Sequence, residues 1–444
     1  MSNVPLIDID IMEKVFEELI AEFQEGEIPD LIERELKIPY HLRKIFVIYG
    51  LRRAGKTYYL YYLIKEFLKK GLTKKEIFYF DFEDERLEGI QTKDLSKILE
   101  LYYKINPKTK NPILFFDEIQ EVPGWEKFIR RIYEKNKVRV FLTGSSSKLL
   151  SKEIATALRG RTLSYQLLPF SFKEFLKAKQ FELENISSLT EKQRGKLKRL
   201  LEEYLIYGGY PEIANFKPQE KLKTLKEYLD LIIYRDLVER FGIKNISVLK
   251  LLLRGIIESV SKEFSLRKYH QFLKTQGRKI SKNTLYFYSD ALEETNFFFS
   301  LKKYSQKLRE IEGSLPKVYL TDLGYLTLFG KKDLGKRLEN AVVLELVRKM
   351  EYKNILLNIF YYKTTNGKEV DLVLGKGGRI TQLIQICWEI ENYQTKQREL
   401  KSLYKASQEL NCNNLLVITW DYEGKEKFKN KTIKFIPLWK WLLQ

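Results

Sequence analysis

The sequence is poor in the residues that staple small folds or hold transition metals: Cys387, Cys412, His41 and His270 are its whole supply of cysteine and histidine. Two cysteines cannot build a disulfide framework, and neither stands at zinc-ligand spacing from a histidine. Both thiols are expected in the core of a protein kept in a reducing cytoplasm. Long hydrophobic runs are missing too. No stretch of about 18 apolar residues could span a bilayer, and the opening segment MSNVPLIDIDIMEKVFEEL places acids where a secretory signal needs an unbroken apolar run. Internal repeats and low-complexity linkers are also absent.

What the sequence does have is length and positive charge. Its 444 residues are 44% hydrophobic, enough for several cores at the usual domain size. Lys and Arg outnumber Asp and Glu by 79 to 59, a formal charge of +20. A Lys/Glu-rich solvated surface would stay near balance, so this excess points to a polyanionic partner such as DNA.

The pattern along the chain divides into four parts. Residues 1–170 open with a helical segment. Short apolar runs (KIFVIYG, EIFYFDFED, PILFFDEIQ, VRVFLTGSS, TLSYQLLP) then alternate with helix-like stretches, as a parallel α/β sheet requires. Residues 171–245 read as helices, with YGGYPEI as the one clear break. Residues 246–330 read as three helices followed by a strand pair, the order of a winged helix. Residues 331–444 return to α/β.

Gly50, Leu51, Arg52, Arg53, Ala54, Gly55, Lys56 and Thr57 follow the phosphate-loop spacing of Gly, four residues, Gly, Lys, Thr. A strand candidate precedes them and a helix candidate, from Tyr58, follows. Glycine lets the backbone wrap so that N–H groups and the helix N-terminus face phosphates. Lys56 is expected at the β and γ phosphates of ATP, and the Thr57 hydroxyl on Mg²⁺. In ILFFDEIQ, Asp117 and Glu118 end an apolar run. Asp117 suits the Mg²⁺ shell, and Glu118 suits the base that takes a proton from the attacking water. Ser145 or Ser146, ending VRVFLTGSSS, fits a γ-phosphate sensor. Arg159 and Arg161 in ALRGRTLSY are candidates for an arginine finger, acting within the chain or across a subunit boundary.

Taken together, VIYGLRRAGKT, ILFFDEIQ, FLTGSSS, LRGR, GGYPE and IIYRDLVERFGI resemble the archaeal ATPase family of AAA+ and STAND-related P-loop proteins, from about residue 30 to the end. The resemblance implies an α/β fold: a P-loop parallel sheet of the ASCE type with a helical lid, a winged helix and a C-terminal restriction-endonuclease-like α/β domain. It also implies Mg²⁺-dependent ATP hydrolysis, a ring or dimer of identical chains, and Pro211 beside the adenine base. The residues of GGYPE alone indicate only a tight turn between helices.

In the winged-helix segment, Ser281 should cap a recognition helix. Lys282, Asn283, Tyr286 and Tyr288 are expected near its exposed start, Arg278 and Lys279 at phosphates, and Lys302, Lys303 and Lys307 on a wing. The tail resembles the PD-(D/E)xK nuclease fold, with Glu339 on an early helix and Asp371 in EVDLVL. Gln385 stands where that pattern wants a second carboxylate, and Cys387 where it wants lysine. Glutamine is a weaker Mg²⁺ ligand and a thiol carries no positive charge, so a nuclease-like fold without cutting activity is expected. No other residue offers itself as the missing lysine. Two other functions fit the same motifs: an ATP-dependent switch that recruits a protein partner, and an ATP-gated nuclease.

Overall fold

The computed structural model describes residues 9–136, 138–145, 158, 160–182, 186 and 189–444. The chain forms two compact units, Met1–Leu167 and Leu168–Gln444. No helix among the described residues is long and apolar enough to cross a membrane.

The first unit runs α1 (Ile9–Glu25), β1 (Ile45–Gly50), α2 (Lys56–Lys69), β2 (Ile77–Asp81), α3 (Thr92–Ile105), β3 (Ile113–Asp117), α4 (Trp125–Asn136), β4 (Arg139–Ser145) and β5 (Thr162–Gln166). Its strands form one sheet in the order β2-β3-β4-β1-β5, and every neighbouring pair is parallel. β1, β2 and β3 are apolar because both faces are covered, whereas the edge strand β5, TLSYQ, is only partly buried. On one face Phe46, Phe141 and Phe115 stack with centroids 5.2 and 4.6 Å apart, and Phe67 of α2 meets Phe141 and Phe115 edge-on. On the other, Phe78 stacks on Phe80 and takes Tyr102 of α3 edge-on. Parallel alignment brings the C-terminal ends of β1, β3 and β4 to one edge, where open α/β sheets gather ligands.

The second unit begins with helices: α5 (Phe172–Ala178), α6 (Glu191–Tyr207) and α7 (Pro218–Leu231), which continues into a π-helical stretch, Ile232–Glu239. Three more follow, α8 (Ile246–Glu258), α9 (Leu266–Thr275) and α10 (Lys282–Glu294), and then the antiparallel pair β6 (Phe298–Leu301) and β7 (Lys317–Leu320) with α11 (Leu308–Glu312) between them. This is the helix and hairpin order expected from the sequence. After α12 (Gly324–Leu328) and α13 (Leu334–Lys353), the tail places β8 (Asn358–Lys363), β9 (Glu369–Lys376), β10 (Arg379–Cys387), α14 (Tyr393–Glu409), β11 (Leu415–Thr419), β12 (Gly424–Phe428), β13 (Lys431–Pro437) and α15 (Leu438–Leu442) around a mixed sheet ordered β12-β13-β11-β10-β9-β8. Both cysteines are buried, as expected.

The GGYP break is a weld between distant segments. The buried Asp322 carboxylate accepts from Gly209 N and Gly324 N, each at 2.8 Å, and Tyr210 and Tyr325 share a hydroxyl hydrogen bond of 2.7 Å. At Gly208, with φ 80°, a Cβ would lie 1.9 Å from Asp322 Oδ1, so only glycine admits this approach. Arg337 of α13 completes the joint by donating to Leu205 O and Lys331 O, both at 2.6 Å.

Candidate nucleotide site

The phosphate loop starts where β1 ends. Gly50 is in register with Ser145 of β4, and a Cβ on Gly50 would lie 2.2 Å from Leu167 O. The tight approach of these backbones accounts for the first glycine of the motif. Gly55 caps α2 in the left-handed region, so the first turn of α2 points its unpaired N–H groups back over the loop. Arg34, 4% exposed, donates to Ala54 O at 3.0 Å and braces the loop from the preceding linker.

Lys56 and the acid pair meet at this edge. Lys56 Nζ lies 3.2 Å from Glu118 Oε1, while Gln120 Nε2 donates to Glu118 Oε2 at 2.5 Å. Glu118 takes the left-handed backbone conformation at φ 47°, which is uncommon for a residue with a side chain and concentrates at functional sites. Asp117, fully buried, accepts from Tyr79 OH at 3.1 Å and from the Thr143 hydroxyl, and Thr57 also hydrogen-bonds to it. The Glu118 N–H donates to Thr143 Oγ1 at 3.0 Å, so one threonine of β4 fixes both acids. On the loop itself, Arg52 pairs with Glu83 at 3.0 Å.

Electrostatics divides the acids into two kinds. Burial, reinforced by the Glu118 charge, raises the Asp117 pKa despite Thr143, Thr57 and Lys56. Burial also penalises the Glu118 charge, but Lys56, Gln120 and Arg52 outweigh it and lower that pKa. Asp81, beside Asp117 in the β2–β3 register, is pushed up to about 7 by burial and then by Asp117. Buried carboxylates with too little positive charge around them suit a divalent cation. The residues therefore fit Mg²⁺, which Thr57 and Asp117 would hold. Among the described residues no three His, Cys, Asp or Glu side chains are arranged to hold a metal by themselves, so nucleotide phosphates and water would have to complete the shell.

Other expectations are sorted by position. Ser145 ends β4 at this same edge, in register with Gly50. Ser146 and Arg159 lie outside the described residues. Arg161 precedes β5, its carbonyl accepts from Ile45 N at the start of β1, and its guanidinium pairs with Glu134 at 2.7 Å. That is the opposite edge of the sheet from the loop, so Arg161 cannot reach phosphates bound in its own chain. Pro211 belongs to the second unit, in the turn held by the Asp322 weld. Sequence reading missed Arg34, Tyr79, Gln120 and Thr143. Gln120, two residues beyond Glu118, had a local signal in DEIQ, whereas the others reach the site only through the fold.

In the helix and hairpin segment, Ser281 caps α10 by accepting from Thr284 N at 3.0 Å. Arg278, Lys279, Lys282, Asn283 and Tyr286 are all exposed, as expected. Tyr288 is a correction: it is buried, and its hydroxyl accepts from Asn245 N, because it shares the inward face of α10 with Leu285 and Leu292. Lys302 and Lys307 are engaged by Glu312 and Glu310. Ion-paired lysines make weaker phosphate contacts.

The tail brings Glu339, Asp371 and Gln385 into one region. Gln385 Nε2 donates to Glu399 Oε2 at 2.6 Å and its Oε1 has no partner, while Asp371 Oδ2 accepts from Ile386 N at 2.8 Å. Burial, then the Glu399 charge, pushes the Cys387 thiol up to about 12, so it stays neutral. A correction follows for the missing lysine. Lys317 of β7 lies 2.6 Å from Glu369, 3.1 Å from Glu339 and 4.0 Å from Asp371. The Lys317 ammonium occupies the space among these acids, so a divalent cation would have to displace it to reach them.

Residues 42–176 match the AAA domain family, residues 198–334 a domain of unknown function (DUF8612) and residues 334–441 another (DUF4143). An uncharacterized protein of Methanocaldococcus jannaschii, MJ1544, is 41% identical over 438 residues, covering 97% of this chain and 95% of the relative. An uncharacterized protein of Haemophilus influenzae is 29% identical, covering 90% and 94%. The Walker-type ATPase PABY2304 of Pyrococcus abyssi aligns over 73% of this chain and 96% of its own, at 16% identity and a TM-score of 0.42, too low for an inference. With its P-loop AAA domain leading the two further domains, the chain belongs to the same family as MJ1544 of Methanocaldococcus jannaschii.

Proposed function

We propose that this protein is a cytoplasmic, Mg²⁺-dependent ATPase that engages DNA through its helix and hairpin segment. The observation that carries the ATPase reading is the meeting of Lys56, Asp117 and Glu118 beside the glycine loop at one sheet edge. Incoming phosphates compete with Glu118 for Lys56. Once Lys56 turns to the β and γ oxygens, Glu118 loses one partner but keeps Gln120, and it accepts the proton of the water that attacks the γ phosphorus as ADP departs. When bound, Mg²⁺ supplies charge neutralisation at the phosphates. Thr57 and Asp117 would hold it, and Ser145 would sense the γ phosphate. Pro211 is assigned to the base on the family resemblance alone. Arg159, or Arg161 of a second copy of the chain, supplies an arginine finger.

DNA contact is supported by the exposed cluster of Arg278, Lys279, Lys282, Asn283 and Tyr286 and by the +20 formal charge. A second reading, a switch that docks a protein, draws on the aromatic rings exposed in the same segment, Phe272 at 51% and Phe287 at 45%. ATPase rates with and without single-stranded, duplex and branched DNA at two salt concentrations separate the two. Stimulation that fades with salt supports DNA; indifference to every DNA discards it.

A further inference from the structure

From the placement of Lys317 we infer that the tail's acid cluster is permanently filled by an internal cation: the hairpin supplies an ammonium where a nuclease-type centre would take a metal ion. Lys317 sits on β7, in register with Leu301 of β6, and is 2% exposed. Its three carboxylates come from elsewhere, Glu339 from α13 and Glu369 and Asp371 from β9. Tyr319, two residues along the same strand, donates to Glu339 Oε1 at 2.7 Å, so β7 holds this acid twice. The Tyr361 ring lies 5.6 Å from the ammonium.

A lysine buried to this depth is tolerated only when carboxylates surround it, and carboxylates packed this tightly need a cation among them. Each half of the cluster explains the other. Burial alone would lower the Lys317 pKa, but Glu339, Asp371 and Glu369 raise it. Three carboxylates hold the lysine at 2% exposure, with no neighbouring glycine loop of the kind beside Lys56, so it serves as a structural cation. It blocks the centre and fastens the hairpin to the tail at the same place.

The test is electron paramagnetic resonance of Mn²⁺ added to the full chain without nucleotide, alongside thermal melting. The wild type is expected to take up no Mn²⁺ at the tail. Lys317→Met should melt lower by about 5 °C or more, since removing one partner strands buried charges, and Mn²⁺ should recover part of the loss. Lys317→Met combined with Glu339→Gln and Glu369→Gln should regain most of the stability, which keeps the test open if the single variant fails to fold. Wild-type Mn²⁺ uptake that disappears in Asp371→Asn would overturn the inference. So would a Lys317→Met variant as stable as the wild type, one whose melting Mn²⁺ does not raise, or a triple variant no better than the single.

Discussion

The protein contains two buried acid clusters, each with one lysine, and the surroundings of that lysine decide what each can do. Lys56 stands at the start of α2, beside a glycine loop, and holds one carboxylate, Glu118, at 3.2 Å. Lys317 opens β7 of the two-stranded hairpin and is held by three. Phosphate can compete for the first because backbone N–H groups and a helix N-terminus are ready to receive it. Nothing comparable faces the second. A lysine held by one acid next to an anion cradle is poised for exchange, whereas a buried one held by three acids is structural.

The comparison is broken most strongly at Glu118. Glu118→Gln should keep ATP binding and cut turnover about 100- to 1000-fold in steady-state assays, because the amide accepts no proton. Full turnover would mean that another group is the base. Next in size is the weld that holds the second unit: Gly208→Ala should destabilise it by about 3 kcal/mol in denaturant melts, from the clash with Asp322 and the positive φ. Smaller is a pH effect at the first cluster. The folded-state pKa of Asp81 is raised to about 7 from 3.8, so its neutral form is favoured on folding. Stability should fall as pH rises from about 4 to about 7, and Asp81→Asn should flatten that slope in melts across the range. Smallest is the surface term: Lys282→Ala should lower the salt slope of DNA affinity by about 1, with Lys307→Ala changing it less because Glu310 already occupies that lysine.

What could be read from the sequence follows the same division. The loop, the acid pair and strands β1 to β4 are written locally, as a spacing, a strand end and runs of Val, Ile and Phe. Gly50, Lys56, Thr57, Asp117 and Glu118 could be named before any fold was known. Arg161 could not be excluded as an in-chain finger, because its edge of the sheet depends on β5 lying parallel to β1. Tyr288 was misread because its inward face shows only in the spacing with Leu285 and Leu292. Lys317 was invisible as a partner of Asp371, since the nuclease pattern seeks its lysine within β10 and this one arrives from a hairpin 54 residues earlier. Strands β12 and β13 lack the continuous apolar run that marks a buried strand: GKEKF, at the sheet edge, sets three charged residues in a row, and in KTIKFIP Lys434 interrupts the apolar residues.

The central claim is that the glycine loop with Lys56 and the acid pair binds ATP. Titration calorimetry of the full chain with ATP and Mg²⁺ tests it directly, with Lys56→Ala as the paired sample. The account predicts saturable binding by the wild type, weakened about 100-fold or more in the variant. No ATP uptake by the folded wild type, or equal affinity in the two proteins, would contradict it.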